Sequence, residues 1–391
     1  MLTALLQPEI QAYIREHTHS DVKKLALQKN PFPQVPWTDI LNQIAARQKA
    51  KDKLPTWFTT ENIIYPSKIS VEQTSSETAA KYKAKLVSGG SLIDLTGGFG
   101  IDDYYFSRQL KKVTHCELNP ELSAIAQHNF EVLGAKNIQC IPGDSYDTLT
   151  NANTHWDYIY IDPSRRNDAK GKVFMLADCL PNVPELLDTY FNFTKNILVK
   201  TAPLLDISAG INELHSVKAI HIVAINNEVK ELLWILEKGF TETPALIATD
   251  LNKDGEQVFE AQYGNEDIAL LSLPKKYLYE PNSAVMKSGA FGTVASHYKL
   301  AKLHAHSQLY TSDELIDFAG RRFEIQQILP YGKAEMKQYI QGKKMNITVR
   351  NFPLKTEELQ RKWKIKDGGD VYTFFTTNRE GEKMVLICGK K

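Results

Sequence analysis

Cysteine is scarce in this sequence. The four present, Cys116, Cys140, Cys179 and Cys388, form no CxxC pair and have no accompanying His spacing. That excludes a disulfide framework and a zinc ribbon, and no metal is expected. Cys116 and Cys140 sit in or beside apolar runs and read as core residues in a reducing compartment. No apolar stretch approaches the roughly 20 residues that span a bilayer, so no membrane partner is expected. The opening Met1 to His17 lacks a basic segment followed by an apolar one, and a cytoplasmic location is predicted. There is no excess of either charge: 47 Lys+Arg stand against 46 Asp+Glu. Net charge therefore selects no partner. No internal repeat or low-complexity tract is present.

What is present is an ordinary globular composition, 42% hydrophobic and 24% charged over 391 residues. That length predicts two or three domains. The charge is unevenly placed. From Arg321 to Lys391 there are 16 Lys+Arg and 8 Asp+Glu, a difference of eight positive charges. Such a segment fits either an electrostatic footprint for nucleic acid or a solvated lysine-rich surface.

Residues 1–80 read as a helical lobe. Leu5, Ile10, Tyr13 and Ile14 recur at helical spacing, as do Ile40, Ile44 and Ala45, with Pro31, Pro33 and Pro36 separating the helices. Residues 81–274 alternate short apolar runs with helical segments. Strands are expected at Leu92–Leu95, Val113–Cys116, Asn137–Ile141, Tyr158–Ile161 and Asn196–Lys200. Helices are expected at Asp103–Leu110, Pro120–Leu133 and Cys179–Phe193. Ala219–Ile225 and Asp267–Leu273 are expected to complete the sheet, with Asn227–Lys238 a helix between them. This alternation predicts an α/β fold, a Rossmann-like doubly wound sheet of parallel strands. Residues 275–318 read as a connecting segment. It holds Tyr277–Pro281 as a link and Ala284–Leu303 as a helix interrupted at Gly289 and Gly292. Residues 319–391 read as a small basic α+β domain, with strands at Phe323–Ile325, Ile347–Arg350, Val371–Phe375 and Lys383–Cys388 and helices at Ala334–Ile340 and Thr356–Lys362.

The strongest local signal is Asp94-Leu95-Thr96-Gly97-Gly98-Phe99-Gly100-Ile101-Asp102. A strand ends in an acid, turns through glycines and opens a helix. Glycines allow close backbone approach, and a helix start offers unpaired amides. Taken alone, the loop is either a ligand cradle or a tight turn. About twenty residues on, Glu117 ends the second strand, where a carboxylate can accept from both hydroxyls of a ribose. Gly143-Asp144-Ser145 follows the third strand, and Asp162-Pro163-Ser164 the fourth. All four lie at C-terminal strand ends, where open α/β sheets bind ligands. Glu117 and Asp144 also suit a plainer role, capping the next turn. The glycines run GGxG, not the GxGxxG of a nicotinamide-binding fingerprint.

With these four in register, the sequence resembles the class I methyltransferase family over roughly Lys83 to Leu273. The resemblance implies S-adenosyl-L-methionine as cofactor. Asp94, Thr96, Gly97, Gly98 and Gly100 would line its methionine and ribose side. Asp102 would meet its amino group, Glu117 would hold the ribose, and Asp144 with Ser145 the adenine. In that family, [Asn/Asp/Ser]-Pro-Pro-[Tyr/Phe/Trp] after the fourth strand marks enzymes that methylate planar amino groups. Here Asp162 and Pro163 fit. Ser164 replaces the second proline and Arg165 the aromatic. A guanidinium can itself stack on a base or pair with phosphate; alternatively Arg165 and Arg166 pair with carboxylates such as Asp168. The stretch Lys200 to Asp206 after the fifth strand has no cysteine, which disfavours uridine C5 chemistry. Upstream, Glu72 to Thr78 either closes over the cofactor's carboxylate or forms a capping box with Ser75 and Thr78.

The order of helical lobe, methyltransferase region and basic α+β tail resembles bacterial methyltransferases with a THUMP-like C-terminal domain. The residues that carry this are Gly320-Arg321-Arg322-Phe323 and the strands around Val371 and Leu386. It implies an RNA substrate, tRNA or rRNA, with Asp162 orienting the acceptor. Lys343, Lys344 and Arg350 are expected at the RNA surface. Tyr331, Tyr339, Phe352, Trp363 and Tyr372 suit either base stacking or the core of a small domain. Two alternatives stay open: a methyltransferase acting on protein or a small molecule, and a noncatalytic RNA-binding protein.

Overall fold

Proline decides where the first helices start. In the computed structural model, α1 (Leu2–Leu5) is followed by α2 (Pro8–Glu16) and α3 (Val22–Leu25), and then by α4 (Trp37–Lys53), which Pro36 caps. Pro8 and Pro55 open α2 and α5 (Pro55–Thr59), where a missing N–H costs nothing. Then come α6 (Lys68–Gln73) and α7 (Glu77–Lys85). Ile10 and Ile14 of α2 meet Ile40 and Ile44 of α4 with Leu5, Leu25, Val35 and Ile64 in one buried cluster. Each such side chain contributes about 1.5–3 kcal/mol on burial. Asn129 pins this lobe's exit by accepting from Ile64 N at 3.0 Å and donating to Ile64 O at 2.8 Å.

The structure describes residues 2–152, 154–165, 175–265 and 267–391. They divide into two units, Met1–Lys218 with Leu233–Thr241, and Ala219–Leu232 with Glu242–Lys391. The first unit continues with β1 (Ser91–Asp94), α8 (Ile101–Phe106), β2 (Lys112–Glu117), α9 (Pro120–Val132), β3 (Ile138–Pro142), α10 (Ser145–Asn151) and β4 (Tyr158–Ile161). A short antiparallel pair, β5 (Ser164–Arg165) with β6 (Cys179–Leu180), precedes α11 (Val183–Tyr190), β7 (Asn196–Thr201) and α12 (Ile207–Glu213). Next come β8 (Val217–Ile225), nearly all of it in the second unit, and β9 (Glu228–Glu237), which divides between the two. The sheet order in this unit is β9-β7-β4-β1-β2-β3, and β7, β4, β1, β2 and β3 are mutually parallel. The chain runs outward from β1 to β3 and returns to β1's other side as β4. That reversal opens a crevice at the C-terminal ends of β1 and β4.

In the second unit, β10 (Ala245–Asn252) lies parallel to β8 and antiparallel to β11 (Gly255–Gln262). A separate seven-stranded sheet follows. Its strands are β12 (Tyr277–Pro281), β13 (Ala301–Lys302), β14 (Tyr310–Ser312), β15 (Gly320–Pro330), β16 (Asn346–Val349), β17 (Val371–Thr377) and β18 (Lys383–Lys390), in the order β13-β14-β12-β15-β18-β17-β16. Helices α13 (Ser283–Ser288), α14 (Phe291–Tyr298), α15 (Lys333–Glu335) and α16 (Thr356–Trp363) accompany it.

Several stretches depart from the sequence reading. Residues 227–238 form β9, not a helix. Asn226 and Asn227 both have positive φ, 51° and 63°, as a two-residue hairpin turn requires. Leu232, Leu233, Trp234 and Leu236 are all buried, so the strand shows no alternation to distinguish it. Residues 267–273 are not a strand: Ile268 and Leu270 are 93% and 78% exposed, and the strands beside β8 are β10 and β11. Tyr277–Pro281 is a strand inside the second sheet, not a link. The helix expected from Cys179 starts only at Val183, because Pro181 and Pro184 confine it. Ala284–Leu303 is two helices, α13 ending at Gly289 with φ 71°, and then β13.

The tail's aromatics are core. Trp363 is buried with Met336, Ile340, Leu359 and Phe375, and Tyr331, Tyr339 and Phe352 pack against them. Tyr372 packs against a second cluster around Phe323 and Phe374. Of the five rings only Trp363 is buried; Tyr331, Tyr339, Phe352 and Tyr372 each keep part of their surface open. Cys116, Cys140, Cys179 and Cys388 are all free thiols, and burial pushes Cys116, Cys140 and Cys388 up to about 12. Among the described residues no helix is long and apolar enough to cross a membrane, and no group of three metal-ligating side chains occurs.

Candidate functional site

Asp94 ends β1 with its carboxylate buried. Its Oδ1 accepts from Thr96 N at 2.7 Å and from Thr96 Oγ1 at 3.0 Å. The same hydroxyl accepts from Asp162 N at 2.7 Å. One threonine thus ties the glycine loop to the end of β4. Gly97 N donates to Cys116 O at 2.8 Å, and Gly98 N to Glu117 Oε2 at 2.9 Å. A Cβ at Gly97 would enter the His115 ring; one at Gly100, whose φ is 78°, would enter the Phe130 ring. No side chain fits either place.

Glu117 takes up the capping role at the start of α9 and also meets the glycine loop. Its Oε1 accepts from Asn119 N at 2.8 Å at the start of α9, while Oε2 faces the loop. Leu118 beside it is 72% exposed. Asp144 is the N-cap of α10, accepting from Tyr146 N at 2.7 Å, and Ser145 is that helix's first residue.

Asp102 on α8 is nearly buried and fully engaged. Lys83 Nζ lies 3.0 Å from Oδ1, and Tyr160 OH and Ser75 Oγ donate to Oδ2 at 2.8 and 3.0 Å. Lys83 Nζ also donates to Ser75 Oγ at 2.8 Å. Burial pushes the Asp102 carboxyl up, but the charges of Lys83 and Lys200 and these hydrogen bonds outweigh it and hold the group below its ordinary value. The carboxylate that was to meet a cofactor ammonium is therefore already held by a protein cation. The capping box expected at Ser75 does not form: Ser76 is the N-cap of α7, accepting from Ala79 N at 3.2 Å, and Ala79 has no polar side chain to return the bond. Ser75 is turned inward to Asp102 instead.

Beneath the loop, Asp103 Oδ2 lies 2.6 Å from His115 Nδ1, both fully buried. Burial, with the neighbouring carboxylates, raises Asp94 and Asp103 well above the usual range, and burial lowers His115.

At the end of β4, Lys200 Nζ from β7 donates to Asp162 Oδ2. Pro163 is buried, whereas Ser164 and Arg165 are exposed on β5. Arg166 and Asp168 lie outside the described residues. The expected site residues thus converge on the C-terminal ends of β1, β2, β3 and β4. Sequence reasoning missed Lys83, Lys200 and Leu118. Lys200 directly precedes the Thr201-Ala202-Pro203 turn at the end of its strand, a signal that was available; Lys83 carried none.

Such a sheet, with acids at these strand ends and a separate basic sheet domain, defines a class I methyltransferase fold with a THUMP-like C-terminal domain. Residues 320–390 match the THUMP domain-like family, and residues 277–318 match a ferredoxin-like domain family. No curated protein matches the chain. Among solved structures, the "putative methyltransferase from Porphyromonas gingivalis W83" is 31% identical over 98% of this chain and 97% of its own, with a TM-score of 0.88. The chain belongs to the family of that P. gingivalis protein. A Streptococcus thermophilus "rRNA Methylase" matches 41% of this chain and 94% of its own at 14% identity, TM-score 0.30. A Streptococcus mutans "putative methyltransferase" in complex with SAH matches 41% of this chain and 96% of its own at 14% identity, TM-score 0.31.

Proposed function

We propose that this chain is a cytoplasmic S-adenosyl-L-methionine-dependent methyltransferase that methylates a base of tRNA or rRNA, with Asp162 orienting the acceptor amine. The observation that carries the reading is the Thr96 hydroxyl, which joins Asp94 to the Asp162 amide and so couples the glycine loop to the acceptor carboxylate.

The residues fit the cofactor. Glu117 is oriented by two backbone amides and keeps lone pairs for ribose hydroxyls. The exposed Leu118 offers an apolar face beside it. Asp144 and Ser145 stand at the adenine side, and Thr96, Gly97, Gly98 and Gly100 at the methionine side. When bound, S-adenosyl-L-methionine supplies the electrophilic methyl group. Asp162 holds the acceptor amine by accepting its N–H, so that the lone pair faces that methyl. Such positioning contributes several kcal/mol to methyl transfer, roughly 7–11 in the most favourable intramolecular cases. Lys200 holds the Asp162 carboxylate in place by its hydrogen bond, and Arg165 is exposed three residues further on, where it can meet a base face or a phosphate.

Calorimetric binding of S-adenosyl-L-methionine to the wild type and to Glu117→Ala, followed by tritiated-methyl transfer to bulk tRNA and rRNA, tests this. Binding that Glu117→Ala abolishes, and label in RNA that Asp162→Ala abolishes, is the expected result. A folded wild type that binds no cofactor would overturn the methyltransferase reading. Cofactor binding with label appearing only in protein or small molecules would overturn the RNA reading alone.

A further inference from the structure

Glu280 is buried, 3% exposed in its side chain, at the end of β12. Two arginines converge on it. Arg321 of β15 donates through Nε at 2.7 Å and through Nη2, both to Oε2. Arg350, just after β16, donates through Nη2 to Oε1 at 2.8 Å. Arg321 Nη2 also reaches Thr348 Oγ1 of β16 at 3.5 Å.

In the sheet order β12-β15-β18-β17-β16, Glu280 lies on the first of five strands and Arg350 directly follows the last. Side chains cannot span that interval across a flat sheet whose strands are roughly 4.8 Å apart. The sheet is therefore curled until these strands face each other. Leu278, Phe323 and Phe374 fill the inside, and the Glu280 trio stands at one mouth.

The trio is more than a clasp. A single glutamate neutralises one of two guanidiniums, so one positive charge is left over. Both arginine side chains stay partly open, 38% and 37% exposed. Arg321 Nη1 makes no hydrogen bond among the described residues, and Arg350 Nη1 and Nη2 each commit one of their two N–H groups, to Val349 O and Glu280 Oε1. The guanidiniums are therefore held rigidly, close together, with donors to spare. That is the geometry that recognises a tetrahedral oxyanion with two or more acceptor oxygens. Asn351 and His304, which contact each other at 2.9 Å, follow β16 and β13 respectively and add polar groups from neighbouring loops.

We infer that Arg321 and Arg350, clamped by Glu280, form a phosphate-binding site for the RNA backbone at the mouth of the curled C-terminal sheet. The inference rests on the RNA reading proposed above. It also moves the contact surface away from Lys343 and Lys344, which are exposed but unclamped.

Binding of bulk tRNA to the full chain, measured by filter retention between 50 and 300 mM salt, tests the site. Each lost phosphate contact lowers the slope of log K against log salt by about 0.9. Arg321→Gln and Arg350→Gln are each expected to lower the slope by about that much, while Lys253→Gln, an equal charge change in the β10–β11 turn, leaves it unchanged. Unchanged slopes in both folded arginine variants, or an equal loss in Lys253→Gln, would overturn the site. Should the arginine variants not fold, Glu280→Gln decides. It frees a second positive charge and is expected to tighten tRNA binding at every salt, whereas binding equal to or weaker than wild type sinks the proposal. A wild type that binds no tRNA at any salt removes the RNA reading itself.

Discussion

Lys200 Nζ donates to Asp162 Oδ2 across the C-terminal ends of β7 and β4, 38 residues apart in the chain. The lysine is mostly buried, and its charge also acts on Asp102. One cation therefore serves the carboxylate at the end of β4 and the one on α8 beside the glycine loop.

Replacing it separates positioning from binding. Lys200→Met is expected to slow methyl transfer to RNA by on the order of 100-fold, the loss that follows when a reacting group is misplaced. Lys200→Arg, which keeps a donor to the carboxylate, is expected to recover part of that rate. A transfer rate unchanged in Lys200→Met would show that the pair is structural only.

Thr96→Val keeps the shape and removes the hydroxyl. The Asp162 amide loses its acceptor and Asp94 loses a donor. An unmade hydrogen bond of this kind costs about 1–3 kcal/mol, which urea denaturation would register. A midpoint equal to wild type would mean that water takes the hydroxyl's place.

At Gly100 two effects add. Its φ of 78° is strained for any side chain, and Phe130 occupies the Cβ position. Gly100→Ala is expected to destabilise the chain by about 1–3 kcal/mol and to weaken cofactor binding. Phe130→Ala in the same molecule should recover part of the binding if the clash is the cause. No recovery in calorimetry would place the defect in the backbone.

His221 on β8 gives a pH signature. Burial lowers it from 6.5 to about 4. Between those values the unfolded chain binds the proton and the folded one does not. The stability this residue contributes is thus complete above pH 6.5 and is lost as pH falls toward 4. Over the whole window it amounts to about 3 kcal/mol. His221→Gln is expected to lose less stability than wild type between pH 7 and pH 4.5, measured by urea midpoints; parallel curves would exclude His221 as the cause.

Much of this was legible in the sequence because its causes are local. Asp94, Glu117, Asp144 and Asp162 each end an apolar run and precede a turn, so strand boundaries alone place them at one sheet edge. Where the local signal was ambiguous, the reading failed. Leu232, Leu233, Trp234 and Leu236 are buried and hide the period of a strand, and the Asn226-Asn227 hairpin turn that settles the matter is only two residues long. Residues 267–273 are apolar enough for a strand yet stay exposed.

The sequence by itself determined the alternation of strands and helices, the glycine loop between the first strand and the helix after it, and the basic tail. Only the tertiary structure decided which charges meet. Lys83 with Asp102, Lys200 with Asp162, and Arg350 with Glu280 are 19, 38 and 70 residues apart. The physical reason is that ion pairing depends on strand order and sheet curvature. Those follow from how the apolar faces pack, and no single stretch of chain carries that information.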